Sequence, residues 1–272
     1  MQEGAPALSS SPGPLPAGRA NYRLVVEYDG TAFRGFQRQR DLRTVGGELE
    51  AALAGLFEER VVVAAAGRTD AGVHASGQVI SFVSHDRFPL HKLVIAANSR
   101  LAEDLSVRDA ARVPDRFSAR FHALERRYTY VVLARREPSA VLRRMTHFDY
   151  RPLDLGAMRE AASRLEGERD FASFCATPPE KGGTVRDLRR LAIERDGDLL
   201  RFEFAANGFL HRMVRIAVGT ILAVGAGSLA PDDLTAILAR HDRRAAGPTA
   251  PARALTLTDV CYDGFTSRRR SG

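Results

Sequence analysis

The chain has 272 residues, 44% of them hydrophobic and 27% charged, with a formal net charge of +7 and a pI near 10.0. That balance fits a soluble globular protein of one large or two ordinary domains, and no apolar run approaches the roughly 20 residues of a membrane span. Two isolated cysteines, Cys175 and Cys261, make neither a disulfide framework nor a CxxC site, and the seven histidines show no HxxxH or HExxH spacing, so no metal is expected.

Residues 1–20, rich in Pro, Ser, Gly and Ala, have neither a basic start nor an apolar export core. They read as a disordered tail, with the cytoplasm as the expected location. Tyr22 to Tyr28 alternates as a strand and closes on the turn dipeptide Asp29-Gly30. Thr44 is placed to cap a helix from Val45 to Phe57, with Leu49, Leu53, Leu56 and Phe57 at helical spacing. The apolar run from Val61 to Ala66 then breaks into the loop Gly67-Arg68-Thr69-Asp70-Ala71-Gly72-Val73-His74, and Gln78 to Ser84 alternates again. This predicts strand, loop, strand, followed by a helix from Leu90 to Leu101. A soft boundary near Val113 to Phe117 divides a first unit, 21–116, from a second, 117–264.

In the second unit Tyr128 to Leu133 predicts a strand, and Leu153 to Leu165 a helix behind Pro152. Leu188 to Glu194 and Leu199 to Phe204 predict a hairpin turning at Asp196-Gly197-Asp198. Gly208 to Val224 predicts a long apolar helix with arginines on one side, Pro231 to Arg240 a short amphipathic one, and Thr256 to Tyr262 a last strand. Residues 265–272, with Arg268-Arg269-Arg270, read as a basic tail. Mixed strands, helices and hairpins without strict βαβ alternation predict an α+β fold with mainly antiparallel sheet.

The positive charge points to a polyanionic partner. Charge alone does not separate nucleic acid from an acidic protein or a membrane surface. The excess is almost all arginine, however, Lys92 and Lys181 being the only lysines, and arginine pairs bidentately with phosphate and stacks on bases. Three stretches combine residue types able to do chemistry on RNA. Arg68 and Asp70, two apart in an extended loop, share a face, so that Arg68 can neutralise Asp70 or reach a phosphate. An isolated Asp between glycines is otherwise an ordinary turn cap. Arg126-Arg127-Tyr128-Thr129-Tyr130 leads basic residues into aromatic ones, Tyr128 as a stacking candidate and Tyr130 as core packing. Asn207, Arg212 and Arg215 lie at the head of the apolar helix, the two arginines at i, i+3 on one face.

The nine residues Gly67-Arg68-Thr69-Asp70-Ala71-Gly72-Val73-His74-Ala75 resemble the signature of the tRNA pseudouridine synthase A family. Arg126-Arg127-Tyr128 resembles its Arg-x-Tyr element, and Asn207 to Arg215 its third motif. Weaker likenesses at Tyr28 to Gln37, Asn98, Phe171 to Phe174 and Pro251 to Leu255 run in the same order, so the resemblance covers about Tyr22 to Tyr262. Phe36 stands where Trp is usual and Ala254 where Gly is usual.

The resemblance implies a pseudouridine synthase fold of two similar halves whose sheets join across a central cleft, with helices on the outer faces. It implies an isomerase acting on tRNA uridines 38 to 40 in the anticodon arm, needing no cofactor and no metal, in a homodimer. Asp70 would be the nucleophile, Arg215 its ionising partner and Tyr128 the residue over the target base. Arg68, His74, Arg126, Asn207 and Arg212 would bind substrate. Two other functions fit the residues less well: a non-catalytic RNA-binding module, which leaves Asp70 unexplained, and an Asp-dependent N-glycoside hydrolase, which would free uracil.

Overall fold

The computed structural model describes residues 14–268. In chain order the strands are β1 (Arg19–Tyr28), β2 (Ala64–Ala65), β3 (His74–His85), β4 (Leu105–Val113), β5 (Glu125–Ala134), β6 (His147–Asp149), β7 (Gly167–Asp170), β8 (Val185–Asp196), β9 (Leu199–Ala206), β10 (Leu255–Tyr262) and β11 (Phe265–Thr266). The helices are α1 (Val45–Phe57), α2 (Leu90–Asn98), α3 (Leu155–Ser163), α4 (Met213–Gly225) and α5 (Asp233–Arg240). All eleven strands belong to one sheet in the order β4-β1-β3-β10-β5-β9-β8-β7, with β2, β6 and β11 on its margins. Pairing is antiparallel except where β10 meets β3 and β6 meets β5. The α+β class expected from the sequence holds.

Each half is built from hydrophobic pattern meeting a matching surface. Tyr22 and Phe82 face each other across β1 and β3, and Phe57 of α1 closes over both, with ring centroids 5.2 to 5.6 Å apart. Such offset and edge contacts add about 0.5–1.5 kcal/mol each beyond the area they bury. Helix α1 begins where the sequence places it, the Thr44 hydroxyl accepting from the Gly47 N–H at 3.2 Å. Asn98 ends α2 by gripping β4, donating to the Val107 carbonyl at 2.9 Å and accepting from its N–H at 2.7 Å. In the second half, β8 and β9 form the expected hairpin, and Tyr130 is fully buried, its hydroxyl donating to the Pro251 carbonyl at 3.0 Å.

Several boundaries differ. Arg19 and Ala20, expected in the tail, pair with His85 and Ser84, while the rest of that tail as far as residue 13 lies outside the described residues. Phe265 and Thr266, assigned to the basic tail, pair with Tyr262 and Cys261; residues 269–272 lie outside the described range. Val61 to Val63 are not strand, only Ala64 and Ala65 pairing with β3. The sheet runs unbroken past the expected boundary at 116, because β10 bridges β3 and β5. Of the cysteines, Cys175 is buried and Cys261 half-buried, both as free thiols. No helix among the described residues is long and apolar enough to cross a membrane.

One close crossing fixes the second half. A Cβ at Gly219 of α4 would overlap the carbonyl oxygen of Pro248. The segment it crosses carries Ala250, whose N–H donates to the Arg215 carbonyl at 3.0 Å. Gly219→Ala is expected to lose about 1–3 kcal/mol, the range for overpacking a filled interior, measured by urea unfolding. It should lower turnover as well, since the displaced segment holds Arg215.

Candidate active site

The loop between β2 and β3 is pinned at almost every residue. The Ala66 N–H donates to Val79 O at 2.8 Å, Gln78 Nε2 donates to Gly67 O at 2.6 Å, and Phe36 N–H donates to Thr69 O at 3.0 Å. Below it the Tyr28 hydroxyl and Thr69 Oγ1 lie 2.8 Å apart, and burial pushes the Tyr28 phenol up to about 12. The turn closes with Val73 N–H on the Asp70 carbonyl at 3.1 Å, Gly72 taking φ 79, a conformation that favours glycine. A loop so held presents the Asp70 side chain in a fixed direction, into a cleft of about 590 Å³.

Asp70 Oδ2 accepts from Arg215 Nη1 at 2.9 Å, both side chains being partly buried at 24% and 14% exposed. Arg215 is itself seated: its Nε donates to Ala250 O at 2.8 Å, while its own carbonyl accepts from Ala250 N. The guanidinium therefore spans the loop of one half and the final segment of the other. The second carboxylate oxygen, Oδ1, lies 3.8 Å from His211 Nε2, beyond hydrogen-bonding distance.

Tyr128 forms part of the cleft wall from β5, with Phe204 and Leu257 opposite it on β9 and β10. Its ring meets Phe209 edge-on, 5.1 Å between centroids at 86°. Burial first, then the neighbouring Tyr28 and Asp70, push its phenol well above the usual tyrosine value, so the group is neutral. Phe209, Leu210, Met213 and Val214 complete an apolar wall. The cleft thus has one flat apolar side, one carboxylate and a cationic rim.

Six arginines line it: Arg68, Arg120, Arg126, Arg186, Arg212 and Arg215. Among the described residues only Arg215 makes an ion pair with a carboxylate. Arg68 does not pair with Asp70; it is exposed on the cleft wall. Arg212 is exposed too, but it precedes α4 instead of sharing a helical face with Arg215. Residues 208–212 are loop, and Arg212 adopts φ 60, a left-handed conformation costly for a residue with a side chain. Asn207 lines the cleft while its Oδ1 accepts from Asp187 N at 3.1 Å.

Two residues expected to bind substrate are structural. His74 is buried, outside the cleft lining, with Gly30 N–H pointing at Nδ1 at 3.0 Å and Nε2 at 2.9 and 3.1 Å from the carbonyls of Arg253 and Arg144. That pattern requires the proton on Nε2, although Asp29 Oδ1 also lies 3.1 Å from Nδ1. Arg126 lines the cleft but its guanidinium is committed to carbonyls. Nε and Nη2 donate to Ala66 at 3.1 and 3.0 Å, Nη2 also to Arg120 at 2.7 Å, and Nη1 to Ala123 and Asn207 at 2.9 and 2.7 Å. It is a clamp joining the loop before Asp70, the loop before β5 and the loop after β9. Its burial without a counter-ion lowers its pKa from the ordinary arginine value. Sequence reasoning missed Arg120, Phe121, Arg186 and His211; of these only His211 lies inside a motif singled out above.

A family model described as tRNA pseudouridine synthase matches residues 24–122 and 161–263. The tRNA pseudouridine synthase A of Halalkalibacterium halodurans is 45% identical over 233 residues, covering 85% of this chain and 89% of that protein. The protein of the same description from Bacillus subtilis is 42% identical over 244 residues, 89% and 98% of the two chains, and that from Acetivibrio thermocellus 38% over 242 residues, 89% and 99%.

Proposed function

This chain belongs to the tRNA pseudouridine synthase family, and from that premise we propose that it converts uridine to pseudouridine in the anticodon arm of tRNA, at positions 38 to 40, with Asp70 as nucleophile. The observation that carries the reading is a lone carboxylate, held by Arg215 through one oxygen, in a cleft whose other charged groups are cationic.

The uridine must leave its stack to reach Asp70, at a cost of a few kcal/mol. The rim arginines that make no ion pair among the described residues offset this by holding phosphates, and the Tyr128–Phe209 wall receives the flat base. Asp70 Oδ1 attacks uracil C6 or ribose C1′, and the N1–C1′ bond breaks. The base turns while confined by the apolar wall. C5 then bonds to C1′, the bond to Asp70 is released, N1 gains a proton and C5 loses one, leaving the composition unchanged. A neutral Tyr128 phenol accepts the C5 proton only as it passes its own to water, so it works as a relay. The two halves, 21–116 and 117–264, meet at this cleft, the first supplying Asp70 and the second Tyr128 and Arg215. Action in the cytoplasm, as a homodimer, belongs to the same proposal and rests on the family resemblance.

Purified protein given tRNA labelled with tritium at uridine C5 is expected to release tritium to water, and carbodiimide primer extension should map a new pseudouridine within positions 38 to 40. A binding module would release none. Free uracil in the supernatant would point to the hydrolase and overturn the isomerase.

A further inference from the structure

Phe121 is 79% exposed, yet the backbone on both sides of it is fixed. Ala119 is fully buried, its N–H donating to Ser81 Oγ at 3.0 Å and its carbonyl accepting from the Tyr262 hydroxyl at 2.7 Å. The Arg120 and Ala123 carbonyls are both held by the Arg126 clamp. A rigid loop therefore holds a large apolar ring out in water, on the wall of the cleft, with the Arg120 guanidinium 5.4 Å from the ring centroid. Comparable exposed side chains, Ile95 at 76% and Val141 at 87%, do not line the cleft. Isolated surface hydrophobics need no explanation; one carried on a fixed loop among arginines that have no carboxylate partner among the described residues has a specific complement, a flat ring bearing a phosphate.

We propose that Phe121 is a stacking platform for an unpaired base of the substrate RNA beside the everted uridine, with Arg120 holding that nucleotide's phosphate. The proposal rests on the reading of this cleft as an RNA site. Any base offers a π-face, so the contact adds affinity and register without selecting sequence. It is distinct from Tyr128, whose ring is buried in the cleft wall. The backbone that carries the ring is already ordered, so binding costs only side-chain freedom, which favours the stack.

The chain contains no tryptophan, so Phe121→Trp installs a single fluorescent reporter at the platform. Its emission is expected to be quenched on titration with unmodified tRNA. Phe121→Ala should raise KM for tRNA about 5- to 150-fold, the range for losing one base stack, while Ile95→Ala leaves KM unchanged. A wild-type KM in Phe121→Ala, with emission of Phe121→Trp indifferent to tRNA, would mean an exposed residue only and overturn the platform. Quenching in a protein whose wild type makes no pseudouridine would support the platform and overturn the isomerase instead.

Discussion

Asp70→Ala is expected to make no detectable pseudouridine, a loss on the order of 10⁴- to 10⁶-fold, while still binding tRNA. The size follows from removing a covalent nucleophile, for which the remaining groups do not substitute. Retained binding follows from the cleft's charge: the substitution deletes its carboxylate and leaves six arginines. Affinity should hold or tighten at low salt, because the phosphate backbone supplies the compensating charge. Folding should survive, since the loop is held by the bonds to Gly67, Thr69 and Val73, none of which uses the Asp70 side chain. Filter binding and carbodiimide primer extension on the same preparation separate the two effects. Turnover within tenfold of wild type would remove Asp70 from the chemistry.

Replacing Arg215 should have the second largest effect, about 10²- to 10³-fold on single-turnover rate in Arg215→Ala. Two losses combine: Asp70 is no longer fixed by the 2.9 Å contact, and the Ala250 carbonyl loses its donor. Misplacing a reacting group by about 1 Å is worth roughly 10²-fold. Arg215→Lys restores a charge but not a forked donor able to reach both acceptors, so it should recover only part of the rate. Equal rates for the alanine and lysine variants would mean that geometry alone matters; full rescue by lysine would mean that charge alone does.

What was legible in the sequence was local. Thr44 and the leucine spacing located α1, and Asp196-Gly197-Asp198 between two alternating runs located the β8–β9 hairpin, because each signal and its consequence lie within a few residues. Strand β4 was missed because its apolar alternation stops after Leu105 and Val107, and the register of its pairing with β1 shifts between Val25 and Val26. β6 and β7 are too short to carry a period. The sequence places the start of α4 too early because the apolar pair Phe209-Leu210 stands just ahead of it, within a segment, 208–212, whose backbone is not helical. At the site, the pairing of Asp70 with Arg215 spans 145 residues and came only from family resemblance. Arg126 and His74 show the opposite failure. Their residue types suit phosphate, but partners as far as 81 and 179 positions away turn them into struts. No local pattern distinguishes a donor offered to a ligand from one already consumed by the fold.

The strand that unites the two halves is the tenth of eleven in chain order, far in sequence from both of the strands it joins. β10 occupies the middle of the sheet, between β3 and β5, and the segment just before it supplies the carbonyl that seats Arg215. Without β10, strand pairing would leave Asp70 and Arg215 on separate sheet fragments, held together by side-chain contacts such as the Arg126 clamp. The alignment of carboxylate and guanidinium thus belongs to the joined sheet as a whole, and neither half carries it alone.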